Sequence, residues 1–176
     1  MKKILPLITL TLTTLIADTL HVNAQYGSLA TKYQTSSTSS EYISDEITTY
    51  GLGLGYEFDP KHVVYLKITQ PQMSDGEKLD LLSLDYRLLG LNDAGSIGVF
   101  IELSGAQGDL ESTTRSAKEK INFIGATFGM LLRLTDEHLF FEAGYKTLSN
   151  EPFRKDVSGF ALKSIQNGYL GLNFRF

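Results

Sequence analysis

The sequence predicts an all-β chain, folded as an eight-stranded antiparallel up-and-down transmembrane β-barrel with a closed, side-chain-filled lumen. Three observations predict it. Large apolar residues recur at every second position in eight separate segments, which is the period of a strand and not of a helix. The connections between those segments alternate between short and long. The face opposite the apolar one is made of glycines and of charges of both signs, which suits a cramped interior better than an exposed sheet surface.

The N-terminus sets the compartment. Lys2 and Lys3 form a positive start, Ile4 to Ala17 is an apolar run diluted by threonines, and Val22-Asn23-Ala24 offers modest side chains at a cleavage site. That is the pattern of a secretory signal peptide, assigned to residues 1–24, with a mature domain of residues 25–176. The full chain has 16 Lys+Arg against 20 Asp+Glu. Removing Lys2, Lys3 and Asp18 leaves 14 against 19, or −5 (14 − 19). A mildly acidic balance argues against a nucleic-acid partner. There is no Cys, so disulfides contribute nothing to stability. The length suits one domain. No mature stretch approaches the roughly 18 consecutive apolar residues of a membrane helix.

The strand segments run at about 25–34, 46–58, 62–71, 79–89, 96–107, 120–134, 138–149 and 160–176. In the second, Tyr50, Leu52, Leu54, Tyr56 and Phe58 alternate with Gly51, Gly53, Gly55 and Glu57. In the fourth, Leu82, Leu84, Tyr86 and Leu88 alternate with Ser83, Asp85 and Arg87. The fifth sets Ile97, Val99, Ile101 and Leu103 against Gly98, Phe100 and Glu102. The sixth repeats the pattern from Ile124 to Leu134, and the last from Leu170 to Phe176. Each segment supplies the roughly 9–11 residues that a tilted strand needs to cross a bilayer. The connections at 59–61, 90–95 and 135–137 are short and turn-like. Those at 35–46, 72–78, 109–120 and 150–159 are long and polar. Strict alternation of this kind is what an up-and-down barrel with both termini on one side produces.

Alternation alone does not separate a membrane barrel from a soluble sandwich, because polarity inverts between them. The glycines Gly51, Gly53, Gly55, Gly98, Gly125, Gly129, Gly144 and Gly171 favour the inverted, lipid-facing arrangement. So do charges that parity assigns to the same inner face at mid-strand: Lys32, Glu57, Lys67, Asp85, Arg87, Glu102, Arg133, Glu142, Lys146 and Arg175. These form a candidate lumen charge network. Aromatics on the apolar face, among them Tyr50, Tyr56, Phe58, Tyr86, Phe174 and Phe176, fit interfacial girdles.

With these residues in place, the chain resembles bacterial outer-membrane β-barrel proteins. The stretch Tyr169-Leu170-Gly171-Leu172-Asn173-Phe174-Arg175-Phe176 looks like the insertion signal of that class, carried by Tyr169, Gly171, Leu172, Phe174 and Phe176. The resemblance implies the barrel-assembly machinery as a partner during biogenesis, with reading by strand pairing. Length and strand count are similar to the small eight-stranded members: the OmpA transmembrane barrel, OmpX and YfaZ-type proteins. The stretch Phe141-Glu142-Ala143-Gly144-Tyr145-Lys146 resembles a seventh-strand pattern of such chains. One departure is that Ser164 and Gln166 fall on the expected lipid face, read as strand above the membrane or a bulge.

The GLGLG at 51–55 lacks dinucleotide spacing and precedes no helix. A lipid-modifying enzyme needs a nucleophile beside a base. The only histidines of the expected mature chain, His62 and His138, abut short turns, on the wrong side for outer-leaflet lipid. No catalytic residue, cofactor or metal is therefore expected. The acidic residues Glu41, Asp45, Asp75, Glu77, Asp109 and Glu111 match no calcium-loop spacing and read as solvated loop charge. Eight strands leave an interior that Lys, Arg and Glu side chains plug. The expected role is structural or surface-interaction, through the long outer loops, in a monomer among outer-membrane lipid and lipopolysaccharide with periplasmic termini. The alternative is a narrow channel for ions or small solutes.

Overall fold

The structure is a computed structural model that describes residues 20–34, 44–71, 77–112, 117–135, 138–153 and 161–176. Eight strands appear in chain order: β1 (Leu20–Gln34), β2 (Ser44–Asp59), β3 (His62–Pro71), β4 (Glu77–Leu91), β5 (Ile97–Ser112), β6 (Ala117–Arg133), β7 (Leu139–Ser149) and β8 (Ala161–Arg175). Each pairs antiparallel with its sequence neighbours, and β1 pairs with β8 to close the barrel. The eight-stranded barrel read from the sequence is the observed fold.

Local chemistry explains the short turns. Asp59 Oδ1 accepts from the Lys61 amide at 2.8 Å, the side-chain-to-backbone bond that makes Asp a turn residue. At the β4–β5 turn, Asn92 Oδ1 accepts from the amides of Ser96 (2.8 Å) and Ile97 (3.1 Å). Gly95 sits there at a φ of 61°, a left-handed conformation that costs glycine nothing. The start of β1 and the end of β8 lie at the same end of the barrel as these turns: Leu20 pairs with Tyr56, and the Arg175 amide donates to His138 O at 2.7 Å.

Next to the turns, the outer surface is hydrocarbon. Leu52, Leu103 and Phe128 are 67%, 61% and 63% exposed, values that a water-facing strand reserves for Lys or Glu. On β2 the outward residues Tyr50 to Phe58 cover about 26 Å of strand at roughly 3.3 Å per residue, enough for a tilted strand to cross the apolar band. Aromatic pairs border it. Tyr26 and Tyr50 sit at its upper edge, with ring centroids 5.5 Å apart. At the turn end lie Tyr56–Phe58 (5.0 Å) and Phe174–Phe176 (4.7 Å).

Farther from the turns the polarity reverses. Leu29, Ile47, Leu79, Leu81, Phe123, Leu148 and Ile165 point inward and form one buried apolar cluster, while Gln70, Lys78, Gln107, Lys120 and Asn122 are exposed outside it. Cross-strand bonds on that outer face join Gln70 to Asp80 (3.2 Å) and Gln107 to Asn122 (3.2 Å). The switch is visible in adjacent residues of opposite facing: Leu81 inward and Leu82 outward, Phe123 inward and Ile124 outward. This upper half is built like a water-soluble barrel.

That reversal corrects two expectations. The polar stretch 109–120 is largely strand, because Leu110 and Ile121 alternate inward between polar neighbours; only residues 113–116 separate β5 from β6. Asp45, Glu77, Asp109 and Glu111 consequently lie in strands and not in loops, while Glu41 and Asp75 fall outside the described residues. Around Ser164 and Gln166, both readings of the departure hold. The strand continues into the upper half, and the β1–β8 register shifts between Lys32 and Tyr33. One further difference is at the start: β1 begins at Leu20, five residues ahead of the expected Gln25.

Some inner glycines are required by close approach. A Cβ on Gly55 would lie 2.5 Å from the Tyr65 ring, and one on Gly129 would meet Phe100 and the Ala143 carbonyl. Inward rings of neighbouring strands, Tyr65 on β3 and Phe100 on β5, occupy the space at these positions. Gly105 has nothing within 4 Å of its added Cβ. Gly129→Ala is therefore expected to destabilise by about 1–3 kcal/mol through overpacking, with Gly105→Ala close to neutral, measured by denaturant unfolding in lipid vesicles. In the same assay, Leu54→Arg should cost roughly 2–4 kcal/mol on the lipid face. The closed barrel should also run faster on a gel before heating than after it.

Candidate functional site

The lumen beside the membrane band holds an ion-paired cluster, and strand register assembles it. Arg87 on β4 stands directly opposite Glu102 on β5. Glu102 opposes Thr127, which opposes Lys146 on β7. Inward parity on β3, β4 and β7 adds Lys67, Asp85 and Glu142. Three cations and three anions thus meet on the barrel axis.

Arg87 is the hub. Its Nη1 and Nη2 donate to the two Glu142 carboxylate oxygens at 2.9 and 2.8 Å, and its Nε donates to Glu102 Oε1 at 2.8 Å. The fork to Glu142 is bidentate, the geometry that the planar guanidinium prefers, and it spans the lumen from β4 to β7. Two aromatic rings hold the group: its central carbon is 3.9 Å from the Phe100 centroid and 4.6 Å from that of Tyr65. Such cation–π contacts strengthen when desolvated, and Arg87 is 1% exposed.

The other charges extend one continuous chain of ion pairs from Lys146 through Asp85, Lys67, Glu102 and Arg87 to Glu142. Lys67 Nζ contacts Glu102 Oε1 at 2.8 Å and Asp85 Oδ2 at 3.2 Å. Lys146 Nζ donates to both Asp85 oxygens at 3.0 Å and to Ser83 at 3.2 Å. Tyr169 donates to Glu142 Oε1 at 2.8 Å. A second group sits toward the turn end. There Glu57 accepts from Arg175 Nη2 at 2.6 Å and contacts His21 Nε2 at 2.8 Å. His21 Nδ1 is 3.1 Å from Asn173 Oδ1, and Asn173 donates to the Tyr65 hydroxyl at 2.7 Å.

Of the ten charges assigned to the lumen from sequence, six form the central cluster and Glu57 with Arg175 forms the lower one. Arg133 does not join them: it lies at the last residue of β6 and donates to Ala94 O at 2.8 Å, pinning the β4–β5 turn. The side chain of Lys32 lies outside those described. Sequence reasoning missed His21, which it placed in the signal, and the partners Asn23, Tyr65 and Asn173. Parity would have found two of them: Tyr65 stands two residues before Lys67, and Asn173 two before Arg175. Tyr169 and Gly171 face inward, whereas Leu172, Phe174 and Phe176 are exposed on the lipid side.

Above the charges, the apolar cluster of the upper half closes the same axis. Among the described residues, cavities along it include one of about 20 Å³ at the turn end and one of about 10 Å³ near Lys146, on the order of one water molecule each. Among the described residues no His, Asp and Glu grouping is arranged to hold a metal ion. His62 Nδ1 is bonded to the Tyr86 hydroxyl at 2.5 Å and His138 Nδ1 to Arg175 O at 3.0 Å, both at the turn end. What this arrangement does chemically is neutralise and immobilise: each central charge has at least one opposite partner within 3.2 Å.

Solved barrels share this architecture. The structure is similar to that of Neisserial surface protein A, with a TM-score of 0.57 and 16% identity over 89% of this chain and 97% of that one. It is similar to the outer membrane protein OprG from Pseudomonas aeruginosa, with 0.59 and 14% identity over 90% and 97%. The N-terminal β-barrel domain of Pseudomonas aeruginosa OprF gives 0.56 and 14% over 88% and 97%. No protein-family model matches the chain, and no curated protein matches it by sequence. At these identities the likeness is one of fold: that of small eight-stranded outer-membrane barrels.

Removing Arg87 leaves buried Glu142 without its cation, while Glu102 keeps Lys67. Arg87→Met is expected to cost about 3–5 kcal/mol, whereas Arg133→Ala, at the rim, should stay within about 0.5 kcal/mol. Equilibrium unfolding from lipid vesicles measures both.

Proposed function

We propose that the chain is a monomeric integral protein of the bacterial outer membrane whose work is structural or surface-facing, with a lumen that does not conduct. The observation that carries this reading is the doubly closed interior. A balanced ion cluster fills the membrane half, and an apolar cluster fills the half above it. An ion crossing would have to break paired, buried charges and then enter a hydrocarbon layer, where an unpaired charge is costly.

The remaining parts of the reading follow from the same geometry. Export by a signal peptide and insertion by the barrel-assembly machinery fit a chain whose last strand carries Leu172, Phe174 and Phe176 on one lipid-facing row. The ends of the barrel that carry the short turns and both termini face the periplasm, and the upper half stands outside among lipopolysaccharide. There it holds the loops as a rigid platform for contact with ligands or other cells. The reading assigns no catalysis: His62 and His138 lie at the periplasmic end, and His21 is tied into the Glu57–Asn173 group.

A planar-bilayer recording tests the proposal. No stepwise openings are expected from the native protein. Steady openings abolished by Glu102→Gln would overturn the sealed lumen and favour the narrow channel.

A further inference from the structure

The residues that β1 contributes before Gln25 are part of the barrel wall, and from their pairing we propose that the export signal is cut at the Ala17–Asp18 bond and not at Ala24–Gln25. This rests on the export reading above and adds the identity of the mature N-terminus. Hydrolysis there breaks the bond between the Ala17 carbonyl carbon and the Asp18 nitrogen. Water supplies the hydroxyl that completes the Ala17 carboxyl group and the proton that completes the Asp18 amine.

Backbone pairing is the first ground. His21, Val22, Asn23 and Ala24 are paired on one side with Gly55 to Leu52 and on the other with Arg175 to Leu172. The Phe176 amide donates to Leu20 O at 2.9 Å. The opposing rows carry Leu54, Tyr56, Leu172 and Phe174 outward, so this stretch lies at the depth of the apolar band. A chain starting at Gln25 would leave one edge of β2 and one edge of β8 open in hydrocarbon, where open sheet edges do not occur. It would also remove the lipid-facing Val22, leaving Tyr26 as the one large apolar side chain facing lipid among the described side chains of β1.

Side chains are the second ground. His21 and Asn23 are 5% and 0% exposed. His21 contacts Glu57 at 2.8 Å, and Asn23 donates to Glu142 at 3.3 Å. A leader destined for removal has no reason to complete the polar lumen of the domain that it precedes.

The sequence offers a cut that spares these residues. The apolar run Ile4–Ile16 is 13 residues long, within the roughly 7–15 of a signal's hydrophobic region. Small Ala17 follows it, and Asp18 ends the apolar character. Leader removal there leaves Leu20 and all of β1 in the mature protein.

N-terminal sequencing and intact mass of the native protein from an outer-membrane fraction decide the matter. A start at Asp18 is the expected result, and a start at Gln25 overturns the proposal. Two full-length variants give an independent reading. Ala24→Leu places a bulky residue before the downstream bond, on a lipid-facing position that tolerates it, and should be processed normally and keep its heat-dependent gel shift. Ala17→Leu should accumulate precursor. The reverse pattern overturns the proposal. So does an outer-membrane chain still beginning at Met1, which would leave the barrel reading standing. A chain that never reaches the outer-membrane fraction overturns the export reading as well.

Discussion

Backbone pairing in hydrocarbon is the constraint from which the structure follows. An unpaired N–H or C=O in a bilayer core costs several kcal/mol, so a strand there needs a partner on each side. A sheet meets that condition along its whole length only by closing on itself. The junction of β1 with β8 is therefore as necessary as any hairpin, and it is why β8 carries an alternating run. Leu170, Leu172 and Phe174 face lipid while Gly171 and Asn173 face the lumen, and the amides between them find partners in Tyr26 to Val22.

Closure with eight strands then dictates the interior. The lumen is only wide enough for side chains, and those beside the membrane band cannot be apolar on both faces without turning the strands into featureless greasy runs. The charged solution carries a desolvation cost, which is offset when every member is paired. Arg87 shows how closely this is done, with two carboxylates hydrogen-bonded to its guanidinium and two ring centroids within 4.6 Å of its central carbon. A one-residue slip of β4 would turn Arg87 and Asp85 into lipid, so the cluster also acts against wrong registers. The glycines at 55 and 129 belong to the same economy of space, since inward rings occupy the volume that a Cβ would take.

Above the membrane the solvent changes from hydrocarbon to water, and the same strands answer by exchanging faces. Leu81 and Leu82, or Phe123 and Ile124, are adjacent apolar residues that serve opposite sides. The upper apolar core supplies ordinary hydrophobic stabilisation and stacks a dry layer on the ionic one. Two stacked inner layers, one ionic and one apolar, thus arise from one feature, a parity switch near mid-strand.

Much of this was written in the local pattern, for a physical reason. Side-chain direction in a strand follows parity alone, so the inward facing of Lys67, Asp85, Arg87, Glu102, Glu142 and Lys146 is legible in the alternation itself. So are the strand count and the short turns at Asp59 to Lys61 and around Gly95. What the sequence could not decide by itself was anything depending on partners distant in the chain. Polar residues 109–120 read as loop until Leu110 and Ile121 were seen to share a core with Leu79 and Ile165. Arg133 has lumen parity, yet its height at the barrel rim sends it to Ala94 O. His21 and Asn23 read as leader because their worth lies in Glu57, Asn173 and Glu142, at positions 36 to 152 residues away. Alternation determined which way each side chain points; only closure of the barrel decided at what height it lies, and so whether it meets lipid, water or an opposite charge.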